Sequence, residues 1–397
     1  MKRFLSLFYT VLFVFLLGCS IETFTYAKEK PVSLENTPID VVYCYADLWD
    51  HTLRRGELDN SIKKDYDNQE LKYSLRSVLK NIPWVRKIFI IMPNDKVRFL
   101  KDPEEISDKI VYVKNEDLLG FDTNSPYVKQ FNMWKLREKF GCSNHVIYMD
   151  DDWFIGKPMK KSDFFYIDNN RVVPYVFEDK VQLQLGFKNP QKVTLKEVEN
   201  RLARIKSKDG GQHPEADAGR GKKFFTLSFL MKDVLKQDSI RLVGTSGMGG
   251  FHYPFGIRLD ELKELHGFID KSKYAQATLY AKRRDNGTLY SLSAYHYYTL
   301  NKYSRKVRCP STRAISLAKC SSSNFDVDLF VINNNPNEYL ANVDLAYRVA
   351  RNTMKRLFPE PTPYEIPNCK LDIFDFDEGA PKTRVVHSRS KLYLKRK

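Results

Sequence analysis

His145-Val146-Ile147-Tyr148-Met149-Asp150-Asp151-Asp152-Trp153-Phe154 is an apolar, β-branched run that stops at three consecutive carboxylates. The run has the pattern of a buried strand, and its end marks the carboxyl edge of an α/β sheet, where ligands bind in such folds. Three adjacent carboxylates repel one another, so folding alone gains nothing from them. Two readings fit: a solvated acidic turn, and a divalent cation shared with a diphosphate.

Working outward, Ile39 to Ala46 repeats the strand pattern and also ends in acids, at Asp47 and Asp50. Asp67 to Leu79 places Leu71, Leu75 and Val78 on one helical face, with Asp67 or Asn68 suited to the N-cap. Pro83-Trp84-Val85 breaks that helix, and Lys87 to Met92 reads as the next strand, which completes a β-α-β unit with a parallel pair. Ile110 to Val113 is a short strand and Tyr127 to Phe140 a helix. Strands that alternate with helices predict an α/β fold with a wound, mostly parallel, Rossmann-like central sheet and the acids at one rim. From about residue 178 to 223 the pattern weakens into an inserted, partly mobile segment. Beyond it the chain reads as helical additions: Phe224 to Leu235, Arg258 to His266, Tyr274 to Arg283, Leu289 to Leu300 and Tyr339 to Phe358. A last strand spans Phe325 to Ile332.

The 397 residues suffice for one large domain or two smaller ones, and 42% hydrophobic content is that of a globular chain. A net charge of +16 predicts anionic partners: phosphorylated ligands, acidic glycans or a membrane surface. No nucleic-acid module accompanies that charge. The six cysteines show no CxxC pairing, which excludes a zinc ribbon or thioredoxin-like motif, and Cys309 with Cys320 is one disulfide option in an oxidising compartment. At the N-terminus, Met1-Lys2-Arg3 precedes an apolar run from Phe4 to Leu17, the layout of a secretory signal. Thr25-Tyr26-Ala27 resembles a signal-peptidase site, Leu16-Leu17-Gly18-Cys19 a bacterial lipoprotein box, and an uncleaved anchor is the third option. Residues 1–27 are thus a signal or anchor, 28–38 a linker, 39–365 the functional domain and 366–397 a basic tail.

Taken together the motifs resemble the Stealth family of sugar-1-phosphate transferases. Ile39-Asp40-Val41-Val42-Tyr43-Cys44-Tyr45-Ala46-Asp47-Leu48-Trp49-Asp50 is similar to its first signature block. Asp67 to Ser77, Pro83-Trp84-Val85-Arg86, Asn124-Ser125-Pro126 and Ile147 to Lys157 are similar to its second. His252-Tyr253-Pro254, Arg284 and Tyr295-His296-Tyr297-Tyr298 match the third block, and Val331 to Asn334 with Leu357 to Pro361 the fourth. The chain departs from the pattern at Cys44-Tyr45, at Leu48, at Asp150 in place of an Asn, and at Lys129 and Asn334 in place of acids.

The resemblance implies attack of an acceptor hydroxyl on the sugar-proximal phosphorus of a UDP-sugar, with release of UMP. Such a reaction needs Mg²⁺ or Mn²⁺ on the diphosphate, a base, and a cation for charge developing on the phosphoryl oxygens. Asp151 and Asp152 are the expected metal ligands. His252 is the expected base, its ordinary pKa being near neutrality, and Arg284 the phosphoryl clamp. Each has a plain alternative: a packed or surface histidine, and a solvated arginine beside Arg283. Asp47, Asp50, Asn68 and Arg76 are expected to line the nucleotide pocket, although Arg76 also suits a helix-face pair with Glu70 or Asp67. Tyr295, Tyr297 and Tyr298 read as core. The partners implied are a UDP-sugar donor and a glycan or glycoprotein acceptor, in a Golgi lumen or a bacterial cell envelope, with membrane association through the N-terminus as one outcome. Two other functions fit the same residues: a metal-dependent DxD-type glycosyltransferase that releases UDP, and an exported, non-enzymatic binding protein.

Overall fold

The computed structural model describes residues 31–45, 69–93, 96–123, 125–177, 189, 191–206, 223–242, 253–281, 289–316, 320, 323–333, 343–367 and 369. Its centre is a sheet in which β1 (Ile39–Cys44), β2 (Ile88–Met92), β3 (Ile110–Lys114) and β4 (His145–Asp150) run parallel. Asp151 and Asp152 separate β4 from β5 (Trp153–Ile155), which leaves this sheet, and β6 (Phe255–Arg258) later joins it antiparallel on the outer side of β4. The spatial order is β6-β4-β1-β2-β3. Every residue of β1 and β2 is buried. Continuous Val and Ile runs suit strands covered on both faces, and the unbroken apolar run read from the sequence has this cause.

The order has a consequence for function. The chain moves from β1 outward to β2 and β3, then returns to the other side of β1 with β4. The turn-round lies between β1 and β4, and a wound sheet opens its ligand crevice at the carboxyl ends of the strands flanking that point. Register pairs Cys44 with Asp150 there.

A second, three-stranded sheet begins at β5. It pairs antiparallel with β8 (Leu329–Asn333), which runs parallel to β7 (Thr312–Ser316). The rings of Phe154, Phe330 and Phe358 stack in the core beneath it, Phe154 lying 4.8 Å from Phe330 and 6.0 Å from Phe358. Helix α1 (Glu70–Asn81) joins the two sheets. Leu71, Leu75 and Val78 enter the main core, while Ser74, Ser77 and Asn81 form a polar stripe toward β5. Ser74 donates to the Trp153 carbonyl, the Ile155 amide donates to Ser77 Oγ at 3.1 Å, and Asn81 Nδ2 donates to the Ile155 carbonyl at 2.6 Å. A short strand with one paired edge leaves backbone groups unsatisfied, and this stripe satisfies them.

The glycine that follows β5 has no room for a side chain. Gly156 donates its amide to the Asp328 carbonyl at 2.7 Å, and a Cβ added there would sit 2.2 Å from the Val327 carbonyl oxygen. Since that neighbour is backbone, Gly156→Ala must displace the turn before β8. The expected outcome is a loss of about 1–3 kcal/mol, read as a lower urea midpoint with unchanged slope.

Several elements differ from expectation. Helix α1 starts at Glu70 behind Gln69, whose φ of 62° is left-handed, and no side chain caps it. The 127–140 stretch is two helices, α2 (Pro126–Asn132) and Lys135–Phe140, because Met133 and Trp134 interrupt it. Arg258 ends strand β6 instead of starting a helix; α3 (Leu259–Asp270) follows. Within the supposed insertion, residues 195–206 are helical. The Thr194 amide donates to Glu197 Oε2 at 2.8 Å, and the Glu197 amide donates to Thr194 Oγ1 at 3.3 Å. Thr194-x-x-Glu197 is a capping box, a start signal legible in the sequence. Cys309 and Cys320 are both free thiols, which removes the disulfide option. Tyr295, Tyr297 and Tyr298 are core on α4 (Ser291–Lys302), with the Arg258 amide donating to Tyr295 Oη at 2.9 Å. Among the described residues no helix is long and apolar enough to cross a membrane, and residues 1–30 lie outside them.

Candidate active site

The three acids sit at the rim that the fold makes available. Asp150 closes β4, and Asp151 and Asp152 form the link to β5; all three are half-buried. The Asp152 carboxyl is held well above the ordinary 3.8, first by burial, then by the charges of Asp151, Asp150 and Glu70. Glu70 comes from the first turn of α1 and is itself buried.

Asp150 is held differently. Tyr148 Oη donates to Asp150 Oδ1, and Gln130 Nε2 donates to Tyr148 Oη at 2.7 Å. Burial, followed by the charge of Asp150, pushes the Tyr148 phenol well above its ordinary value, so it remains a donor. Gln130 lies on α2, where Val128 to Asn132 are all buried although three of the five are polar. Its neighbour Lys129 is only 3% exposed, and its ammonium donates to the Tyr45 carbonyl, just past β1, at 3.3 Å. Burial lowers the Lys129 pKa, against the opposing pull of Cys44, Asp150, Asp151 and Asp122. Burial in turn pushes the Cys44 thiol up to about 12, so it stays a neutral thiol. Sequence reading singled out Lys129 only as a departure from a family pattern and passed over Gln130, Tyr148 and Glu70. The run Val128-Lys129-Gln130-Phe131-Asn132 carries no local signal of this, because its two apolar residues share one helical face and leave the polar ones free to face solvent.

Arg76 faces elsewhere. It is buried, with Nε and Nη2 on the two carboxylate oxygens of Glu365 at 2.8 and 2.6 Å. Its Nη1 donates to the carbonyls of Phe358 and Pro359. Its partner in this ion pair is Glu365, not the expected Glu70 or Asp67, and these bonds use almost all of its donors, an arrangement that suits a clamp between α1 and the C-terminal segment. Asp47, Asp50, Asn68, His252 and Arg284 lie outside the described residues. The chain is described up to Tyr45 beside Asp150, and β6 begins at Phe255, opposite Tyr148 near the carboxyl end of β4. Ala281 accepts a bond at 2.7 Å from Thr123 Oγ1, just ahead of α2.

Asp151 and Asp152 offer hard carboxylate oxygens from two adjacent residues, a donor set that fits Mg²⁺ or Mn²⁺ with the remaining positions left to water and phosphate. Among the described residues no group of three or more His, Cys, Asp or Glu side chains is arranged to hold an ion by itself.

Residues 64–173 match the profile of Stealth protein CR2, conserved region 2. The capsular polysaccharide phosphotransferase fcs1 of Haemophilus influenzae is 33% identical over 150 residues, 34% of this chain and 40% of that protein. The capsular polysaccharide phosphotransferase of Neisseria meningitidis serogroup B is 30% identical over 154 residues, 34% and 39% of the two. The exopolysaccharide phosphotransferase CpsY of Mycobacterium tuberculosis is 32% identical over 164 residues, 38% and 30%. The matches therefore span well under half of each relative. Among solved structures, the galactosyltransferase LgtC with donor and acceptor sugar analogs shares 10% identity at a TM-score of 0.37, over 83% of this chain and 98% of that one. The matched region holds both the acid-bearing strand β4 and the helix α2 that braces it, and over these residues the chain is similar to conserved region 2 of the Stealth proteins.

Proposed function

We propose that the chain transfers a sugar-1-phosphate, hexose or N-acetylhexosamine, from a UDP-sugar to a hydroxyl of a glycan acceptor and releases UMP, in polysaccharide synthesis at a bacterial cell envelope. The observation that carries this reading is the carboxylate pair Asp151-Asp152 at the β1/β4 turn-round of a wound sheet, inside the stretch that matches Stealth conserved region 2. Asp151 and Asp152 would hold a Mg²⁺ or Mn²⁺ ion, which neutralises the diphosphate when bound. Asp47, Asp50 and Asn68 would line the nucleotide pocket. His252 takes the proton of the acceptor hydroxyl as its oxygen bonds to the sugar-proximal phosphorus, the bond from that phosphorus to the UMP oxygen breaks, and Arg284 holds the equatorial phosphoryl oxygens. Residues 39–365 form the transferase domain in this reading, between an N-terminal signal or anchor with its linker and a basic tail.

Product identity tests it. The full-length chain, incubated with a panel of UDP-sugars and Mg²⁺ or Mn²⁺, is expected to release UMP. Release of UDP would make it a glycosyltransferase that moves only the sugar. Absence of metal-dependent turnover across the panel would favour an exported binding protein.

A further inference from the structure

We infer that Lys129 is a positioning residue for the acid cluster: an internal ammonium at the end of β1, beside the strand that carries Asp150 and Asp151, which makes the site hold a divalent ion tightly only together with an anionic donor. The inference rests on the reading of Asp151 and Asp152 as metal ligands.

A buried ammonium costs several kcal/mol unless something nearby compensates it, so a position that needed only packing would carry Met or Leu. Here the compensation is the cluster itself. Lys129 is 3% exposed, its bond to the Tyr45 carbonyl sets it at the end of β1, and β1 lies beside β4 with Cys44 opposite Asp150. The next residue on α2, Gln130, seats Tyr148 against Asp150. One short helix therefore does two things at the same strand end. It fixes Asp150 through a neutral relay, and it offsets one of the three negative charges with a cation that solvent does not reach.

The offset has two effects. The three carboxylates tolerate one another in a chain folded without metal, which carboxylates alone would do less well. A divalent ion arriving alone meets the repulsion of Lys129, and a diphosphate brought with it restores the attraction.

The test reads metal affinity, not turnover. Mn²⁺ binding to the full-length chain is followed at pH 8 by loss of the free-ion paramagnetic resonance signal, with and without UDP, for the wild type, Lys129→Met and Lys129→Gln. Melting temperature checks that each variant is folded. UDP is expected to tighten Mn²⁺ binding to the wild type at least ~10-fold, and both neutral variants are expected to bind Mn²⁺ alone at least ~10-fold tighter than the wild type, with a smaller gain from UDP. Two replacements of different shape separate charge from packing, and either one, if folded, decides the question. Variant affinities for Mn²⁺ alone that stay within twofold of the wild type, or weaken, overturn the inference and leave the metal site standing. A wild type that binds no Mn²⁺ with or without UDP overturns the reading of Asp151 and Asp152, and the inference with it.

Discussion

Replacement of Asp152 by Asn is expected to lower UMP release by about a thousandfold or more, and to raise the melting temperature at pH 7–8. The first effect follows from removing one of the two carboxylates proposed to hold the metal on the diphosphate, where charge stabilisation carries most of the barrier reduction in phosphoryl transfer. The second follows from like-charge crowding. Asp152 ionises against burial and against Asp151, Asp150 and Glu70, so its folded-state pKa lies well above the unfolded value near 3.8. For an acid raised in this way, the unfolded chain releases the proton more readily. Stability is present in full below the unfolded pKa and falls as pH climbs toward the folded one. Asparagine keeps the shape and abolishes the charge, so the stabilising difference should be largest at pH 7–8 and vanish below about pH 3, where both states hold a proton. Parallel melts at the two pH values, alongside the UMP assay, check this. A variant that loses turnover and is destabilised at pH 7–8 would mean that Asp152 holds the β4–β5 link together, and would remove it from the metal pair.

Such a site, costly to stability, is the kind that patterns of residues reveal well. The acid triplet stands out because it ends an apolar run for no structural gain, and the parallel strands β1 to β4 stand out because each is a continuous Val/Ile-rich segment between polar breaks. Where one residue serves two elements, or none, the sequence says less. Strand β6 is four residues long, contains Gly256, and runs through Arg258 directly into α3, so helical spacing absorbed its end. A lysine three residues after a proline reads by default as solvated, and only the packing of α2 beneath the sheet rim shows Lys129 to be internal. The partner of Arg76 is 289 residues away, beyond any local pattern. His252, Arg284, Asp47, Asp50 and Asn68 lie outside the described residues.

That distant pair sets the other large expectation. Arg76 and Glu365 are each 7% exposed and form a two-pronged ion pair, while the remaining Arg76 nitrogen binds the Phe358 and Pro359 carbonyls. Those carbonyls lie just past the end of α5 (Val343–Leu357), so the guanidinium also meets the negative end of that helix dipole. The clamp ties α1, which grips β5 behind the acids, to the C-terminal segment whose Phe358 completes the stack with Phe154 and Phe330. Removing Arg76 leaves Glu365 with only Lys72, 3.9 Å away, and removing Glu365 strands the guanidinium, so Arg76→Met or Glu365→Leu should each cost about 3–5 kcal/mol, the arginine change toward the lower end. The double replacement should cost clearly less than the two single ones added together, because it leaves neither charge alone. A nucleotide-binding arginine would behave otherwise: Arg76→Met would raise the KM for the UDP-sugar and leave the urea midpoint in place. The structural clamp instead predicts a lowered midpoint with an unchanged KM in the folded fraction, and denaturation curves combined with donor titrations separate the two.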